Sequence, residues 1–222
     1  MATFIAIGLT GGIASGKSTA LRLFVERAAI CTPNIKLEVI DADKVGHEVY
    51  AAGTSCNRSL VDHFGEKIRS EDGTINRKEL GSIVFGDPDE MKNLQRLVWP
   101  EICTSLGVLL EQSKARAISS AVKTIVIVEA AIMLEAKWHE WLPFDLLVGV
   151  VIDPNLAKDR LMARNQLSAV DAEKRIGSQI SNAERAAQVH AVIDNSGTQA
   201  ELETSVYNLI ASRITPRLGG ES

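Results

Sequence analysis

At 222 residues the chain is long enough for one domain, or for one core that carries inserted subdomains. Its 45% hydrophobic and 23% charged residues and formal net charge of −4 are an ordinary globular balance; they exclude a general nucleic-acid or membrane-surface binder. The three cysteines, Cys31, Cys56 and Cys103, lack both zinc-ligand spacing and the even count of a disulfide framework, which fits a reducing, cytoplasmic setting, and no apolar run approaches the roughly 20 residues that span a bilayer.

The first apolar run, Phe4–Leu9, is short enough for one buried strand, and because it leads into a glycine loop it reads as a strand and not as a signal peptide. The loop is Gly11-Gly12-Ile13-Ala14-Ser15-Gly16-Lys17-Ser18-Thr19, which fits glycine, four residues, then Gly-Lys-Ser. Helical spacing follows over Ala20–Arg27. Strand, glycine loop and helix in that order form a nucleoside triphosphate site: glycines let backbone N–H groups turn inward, and those groups and the helix N-terminus hold phosphate oxygens. The expected ATP contacts run over Gly12, Ile13, Ala14, Ser15, Gly16, Lys17, Ser18 and Thr19, with Lys17 on the β- and γ-phosphates and Ser18 on Mg²⁺.

Further strand-like runs are Leu37–Ile40, Thr124–Val128, Asp145–Ile152 and Ala191–Ile193. They are β-branched and several are continuous, which predicts a five-stranded parallel sheet covered by helices on both faces. Four strands lead into an acid: Asp41, Glu129, Asp153 and Asp194. Ligands bind beyond the carboxyl ends of such strands, so these acids are expected to face one crevice; each alone reads equally well as a helix cap or turn residue. Asp41-Ala42-Asp43 places two carboxylates on one side of a strand end, where one could take the proton of an acceptor hydroxyl and the other support Mg²⁺. Glu129 is the third expected metal residue, through a bound water. Between the second and third strands the pattern is helical, over Lys44–Tyr50, Cys56–Phe64, Arg77–Val84 and Asp89–Leu110, with turns at Gly53, Gly65, Asp72-Gly73 and Gly86-Asp87-Pro88. Leu156–Asn165 and Ala169–Gln179 read as two amphipathic helices. Their five basic residues between Lys158 and Arg175 suit either a solvated face or a lid over phosphates. The four histidines are scattered and complete no zinc pattern, and the tail beyond Thr215 is expected to fray.

Ile7–Ile13 with Ser15–Thr19, Ile40–Asp43, Asp72–Gly81, Arg160–Arg164, Gln179 and Ile193–Gly197 together resemble the dephospho-coenzyme A kinase family over nearly the whole chain. Ala14 stands where that family often has glycine, His47 where arginine is usual, and Trp99-Pro100 replaces His-Pro. Gly46-His47, Trp99-Pro100 and Ala130–Trp138 are similar instead to the kinase half of animal bifunctional coenzyme A synthase, whose adenylyltransferase half has no room here. The resemblance implies a P-loop kinase with a nucleotide core (1–43, 117–155 and 186–215), a helical substrate domain (44–116) and a lid (156–185). It implies ATP and Mg²⁺ as cofactors, dephospho-coenzyme A as acceptor, and a monomer or small homo-oligomer. It also implies that Lys17, Asp43 and Arg164 are catalytic, that Arg160 and Asn195 join the ATP contacts, and that Asp41, Arg77 and Lys78 meet the acceptor. Two other readings remain at this stage. One is a different small-metabolite or nucleoside monophosphate kinase of the same fold; the other is a non-catalytic nucleotide-responsive protein.

Overall fold

The structure, a computed structural model, describes residues 3–31 and 34–219. Thr32 and Pro33, in a connection for which the sequence suggests no role, and Gly220 lie outside the described residues. The chain forms two compact units, Met1–Ile40 with Leu110–Ser222, and Asp41–Leu109.

The first unit is built on a parallel sheet of five strands: β1 (Phe4–Gly11), β2 (Lys36–Asp41), β3 (Thr124–Glu129), β4 (Leu146–Val151) and β5 (Ala191–Asp194), in the order β2-β3-β1-β4-β5. β1, β3 and β4 are buried along almost their whole length, as continuous apolar runs covered on both faces must be. β2 lies at the edge and is only half-buried. One core joins Ile5, Ile7 and Leu9 of β1 to Leu23, Phe24 and Ala28 of α1 (Lys17–Cys31) and to Leu202, Val206 and Leu209 of α9 (Gln199–Leu209). β1 is central, flanked by β3 and β4, so its carboxyl end sits where the strand order reverses, the position at which such sheets bind ligands.

Three helices follow β4: α6 (Pro154–Asn165), α7 (Ala169–Gly177) and α8 (Asn182–Gln188). Ser168 caps α7, and Ser181 with Glu184 forms a capping box on α8. The sequence pattern runs the second of these helices on to Gln179; Ser178 ends it instead, and α8 was not apparent from periodicity. Of the tail expected to fray beyond Thr215, the described part is ordered, and residues 220–222 lie outside the described residues. A π-helical segment, Ile210–Ile214, continues α9, and Pro216–Leu218 close a 3₁₀ turn with Leu218 buried and its carbonyl accepting from Lys123 Nζ at 2.7 Å.

The second unit is helical: α2 (Ala42–Val49), α3 (Ser55–Phe64), α4 (Arg77–Val84) and the first two-thirds of α5 (Pro88–Ser120). Its turns are where glycine and Asp-Gly signals place them; Gly65 ends α3 at φ 87°. At Asp72-Gly73 the chain doubles back, with Thr74 N and Oγ1 both donating to Asp72 Oδ1 and Ser70 N to Thr74 O. Asn57, buried, ties this turn to α2 by donating to Tyr50 O and Gly73 O, both at 3.2 Å. α5 runs ten residues past its expected end and passes through Pro100, which leaves the Arg96 carbonyl without an i+4 donor. Burial, aided by Glu101, pushes the Cys56 thiol up to about 11, so it stays protonated; all three cysteines are free. Among the described residues no helix is long and apolar enough to cross a membrane.

Glu38 fastens the edge strand. It accepts from Ser113 Oγ at 2.6 Å and Arg116 Nη2 at 3.1 Å and pairs with Lys36 at 2.7 Å. Burial alone would raise its carboxyl; the bonds from Lys36, Ser113 and Arg116 outweigh that and leave it below the usual value. A lowered folded-state value adds stability above the unfolded value, which is lost as pH falls through the folded one. Glu38→Gln is therefore expected to lower Tm by about 2–4 °C at pH 7, the effect of roughly 1 kcal/mol in a chain of this size. Thermal unfolding across pH should show wild type and variant converging as pH falls through the lowered folded-state value, below the usual carboxylate range.

Candidate active site

β1 ends in the glycine loop, and α1 begins at Lys17. The loop adopts the left-handed region twice, at Ala14 (φ 58°) and Gly16 (φ 82°), and this turns successive N–H groups to one side. Ser15 N donates to Gly12 O at 3.1 Å, and Asn195, buried after β5, donates its Nδ2 to Ser15 O at 2.8 Å. A Cβ on Gly16 would stand 2.1 Å from that same Asn195 nitrogen, so glycine is required there by both space and φ. Gln179 reaches in from the end of α7 and accepts from Ile13 N at 2.6 Å.

On the β3 side, parallel register places Glu129 beside Leu9. Lys17 Nζ pairs with Glu129 Oε1, and Ser18 Oγ donates to the same oxygen at 3.2 Å. Three of the expected residues thus meet at one point. Arg160 also comes to the loop, with Nη1 3.6 Å from where a Gly16 Cβ would be. Arg164, exposed, donates its Nε to Asn165 Oδ1 at 2.9 Å. Asn195 comes to the site as a brace: its side-chain nitrogen is committed to the loop backbone and its own N–H to Val151 O. A cleft of about 500 Å³ opens beside Gly12, Ile13 and Ser15, walled by Ile152 and Pro154 and by Ile176 to Glu184.

The acids at the strand ends do not share one crevice role. Asp153 caps α6 by accepting from Asn155 N and Leu156 N; Asp194 accepts from Ser196 N and Oγ; Asp41 caps α2 by accepting from Asp43 N and Lys44 N. Only Glu129 of the four turns its carboxylate to the loop, because β3 runs straight into a turn with no helix end for the carboxylate to cap. Asp41, Asp43, Arg77 and Lys78 belong to the second unit. There Asp43 is exposed in the first turn of α2, and Arg77 and Lys78 are exposed in the first turn of α4, capped by Asn76. Ser18 and Glu129 offer a hydroxyl and a carboxylate, hard oxygen donors that fit Mg²⁺. Among the described residues no group of three or more His, Cys, Asp and Glu forms a metal cluster. Of the histidines, His47 and His63 are exposed, His63 beside Glu90 at 2.9 Å, and His190 Nδ1 accepts from Leu147 N at 2.8 Å and prolongs the β4 edge.

A family model for dephospho-CoA kinase matches residues 5–201. The chain belongs to the dephospho-CoA kinase family. It is 39% identical over 208 residues to the dephospho-CoA kinase of Geobacter sulfurreducens, covering 94% of this chain and 98% of that one. To the Leifsonia xyli subsp. xyli dephospho-CoA kinase it is 38% identical, covering 92% and 96%. Among solved structures it is similar to TT1252 from Thermus thermophilus (TM-score 0.70, 25% identity, 95% and 98% covered). It shares the fold of the dephospho-CoA kinase from Campylobacter jejuni (TM-score 0.55, 24% identity, 94% and 97% covered).

Sequence reasoning missed the pair of Arg185, buried, and Glu135, half-buried, which meets the end of β1 at Thr10. An arginine in a capped helix carries no mark of burial; only the Thr10–Arg185 juxtaposition made by the sheet reveals it.

The two inner glycines separate space from conformation. A Cβ on Gly12 would meet only ordinary contacts, at 3.5 Å from Gln179 and 3.9 Å from Arg185. Gly12→Ala is expected to shift Tm by less than about 2 °C, whereas Gly16→Ala should lower it by about 4–8 °C, from roughly 2 kcal/mol of left-handed strain and crowding. Thermal unfolding without nucleotide measures both; equal shifts would mean that Asn195 does not hold the loop.

Proposed function

We propose that this chain transfers the γ-phosphoryl group of ATP to the ribose 3′-hydroxyl of dephospho-coenzyme A, the final step of coenzyme A biosynthesis, in the cytoplasm. The observation that supports this most directly is the meeting of Lys17 and Ser18 on Glu129 at the mouth of a glycine loop, in a chain of the dephospho-CoA kinase family.

Phosphoryl transfer needs little covalent help from the protein; positioning and charge supply the catalysis. The loop N–H groups hold the phosphate oxygens. In the free chain Lys17 is paired with Glu129; with ATP bound, its ammonium moves to the β- and γ-phosphates and meets the charge that grows on the leaving oxygen. Ser18 Oγ and Glu129, the latter through water, hold Mg²⁺, which when bound neutralises phosphate charge. Arg160 adds a cation at the loop, and Arg164 joins it when the lid closes. Asp43 accepts the proton of the acceptor hydroxyl, Asp41 supports Mg²⁺ or Asp43 from the cap of α2, and Arg77 and Lys78 attract the anionic acceptor.

ATP turnover with and without dephospho-coenzyme A tests the reaction; turnover that ignores the acceptor, or none, would sink the assignment. Lys17→Met is expected to lower kcat by about 10²–10³-fold with the fold intact. Asp43→Asn should lower kcat by about 10²–10⁴-fold with ATP binding little changed, while Asp41→Asn shifts the Mg²⁺ half-saturation; the reverse pattern exchanges the two roles. α7 buries only Ala172, so its local stability is low. Hydrogen exchange across Leu156–Gln179 should slow when ATP and acceptor are both bound, and equal exchange in the two states would exclude a lid.

A further inference from the structure

Arg185, on α8, is 1% exposed, the largest fully buried side chain in the described residues, and nothing in the reaction above uses it. Burying a guanidinium is unfavourable unless its charge is paired and its donors are satisfied. Here both conditions are met only in part. Nη1 donates to Thr10 Oγ1 at 3.0 Å and Nη2 reaches a single oxygen of Glu135 at 3.3 Å. Nε of Arg185 and Oε2 of Glu135 have no hydrogen-bond partner. A pair present only to hold the fold would gain from the parallel two-bond fork that arginine and a carboxylate form readily. This pair does not make it; the fork is divided between Glu135 and the residue that precedes Gly11.

The cation faces the back of the phosphate loop. Nη2 stands 3.9 Å from where a Cβ on Gly12 would be, and Thr10 Oγ1, which takes Nη1, passes its own hydrogen to Ala131 O at 3.3 Å. The bonds of Arg185 therefore fix the last residue of β1 before the loop. They also place a buried, only partly paired positive charge behind the loop whose N–H groups would meet phosphate. Glu135, with 17% of its side chain exposed, moderates that charge without cancelling it.

We propose that Arg185 is a positioning residue for the triphosphate: it locks the start of the phosphate loop through Thr10 and adds a buried positive charge behind it, which Glu135 attenuates. This goes beyond the reaction assigned above and does not depend on the identity of the acceptor.

Opposite signs separate this from a purely structural role. ATP dissociation constants would be measured by titration calorimetry on the full chain without acceptor, with inorganic tripolyphosphate as a second probe and thermal unfolding alongside. Arg185→Met is expected to weaken ATP binding about tenfold or more, and Arg185→Lys, which keeps the charge, to stay within about threefold of wild type. Glu135→Gln, which removes the attenuating charge, should tighten binding about threefold even as Tm falls. Tripolyphosphate should follow ATP in each variant. If Arg185→Met and Glu135→Gln both weaken ATP binding, or both leave it unchanged while Tm falls, Arg185 only fills the core and the proposal is wrong. Should Arg185→Met fail to fold, Glu135→Gln and Arg185→Lys decide alone: tighter binding in the first with retained binding in the second supports the proposal, and any other pair of results overturns it. Because no acceptor is present, a chain that bound ATP in this way yet ignored dephospho-coenzyme A would overturn the proposed function and leave this inference standing.

Discussion

Everything in the nucleotide unit depends on holding one short backbone segment in a conformation it would not choose. Ala14, a residue with a Cβ, stands at φ 58°, at a cost of about 1–2 kcal/mol, and Gly16 is left-handed beside it. A loop with that shape has its N–H groups turned to one side, useful for binding phosphate and unfavourable without it. The surrounding structure offsets the cost with side chains drawn from three distant parts of the sequence. Asn195 holds Ser15 O from after β5, Gln179 holds Ile13 N from the end of α7, and Arg185 holds Thr10 from α8. Asn195 and Gln179 follow the ends of β5 and α7, and Arg185 reaches in from within α8.

That arrangement explains the different fates of the strand-end acids. Where a helix starts directly after the strand, its first N–H groups lack partners, and a carboxylate at the boundary is captured as a cap worth about 1 kcal/mol. Asp41 and Asp153 are captured in this way, and Asp194 is held by the turn it starts. The capture leaves the second carboxylate of the Asp41-Ala42-Asp43 pair, Asp43, exposed and without a capping task. Glu129 escapes because no helix follows it, so its charge is available to Lys17 and Ser18.

The same distinction shows what could be read from the sequence and what could not. All five strands and the cores of the helices in the second unit were legible, because burial on both faces and 3.6-residue periodicity leave marks in local order; α4 falls on Arg77–Val84 as its pattern indicates. The phosphate loop was legible because glycine positions report backbone conformation directly. The bracing shell was not. Asn195 and Gln179 came into view through the family resemblance and not through any local pattern, while Glu135 and Arg185 act across sequence separations that no local pattern encodes, and Arg185 stands in a short polar helix that looks solvated. The helix read over Asp89–Leu110 passes through Pro100 as expected, because packing of Val98, Ile102 and Leu106 on its buried side outweighs one lost hydrogen bond; only its end, at Ser120, lies further on.

A rigid loop beside weakly held helices has a consequence for how binding energy is used. The loop backbone is braced by buried or half-buried groups, so little backbone reorganisation is needed when phosphate arrives; the change falls on side chains, above all on Lys17, which leaves Glu129. The α6–α7 pair carries its basic residues on exposed faces and buries only Ala157, Leu161 and Ala172. In the proposed lid role, ordering that pair costs conformational entropy, which contacts to the phosphates would have to meet. Gln179 stands one residue past Ser178, which ends α7, and is hydrogen-bonded to the braced loop. A displacement of Ile13 N is therefore felt directly at the end of α7, with no long-range signal between them.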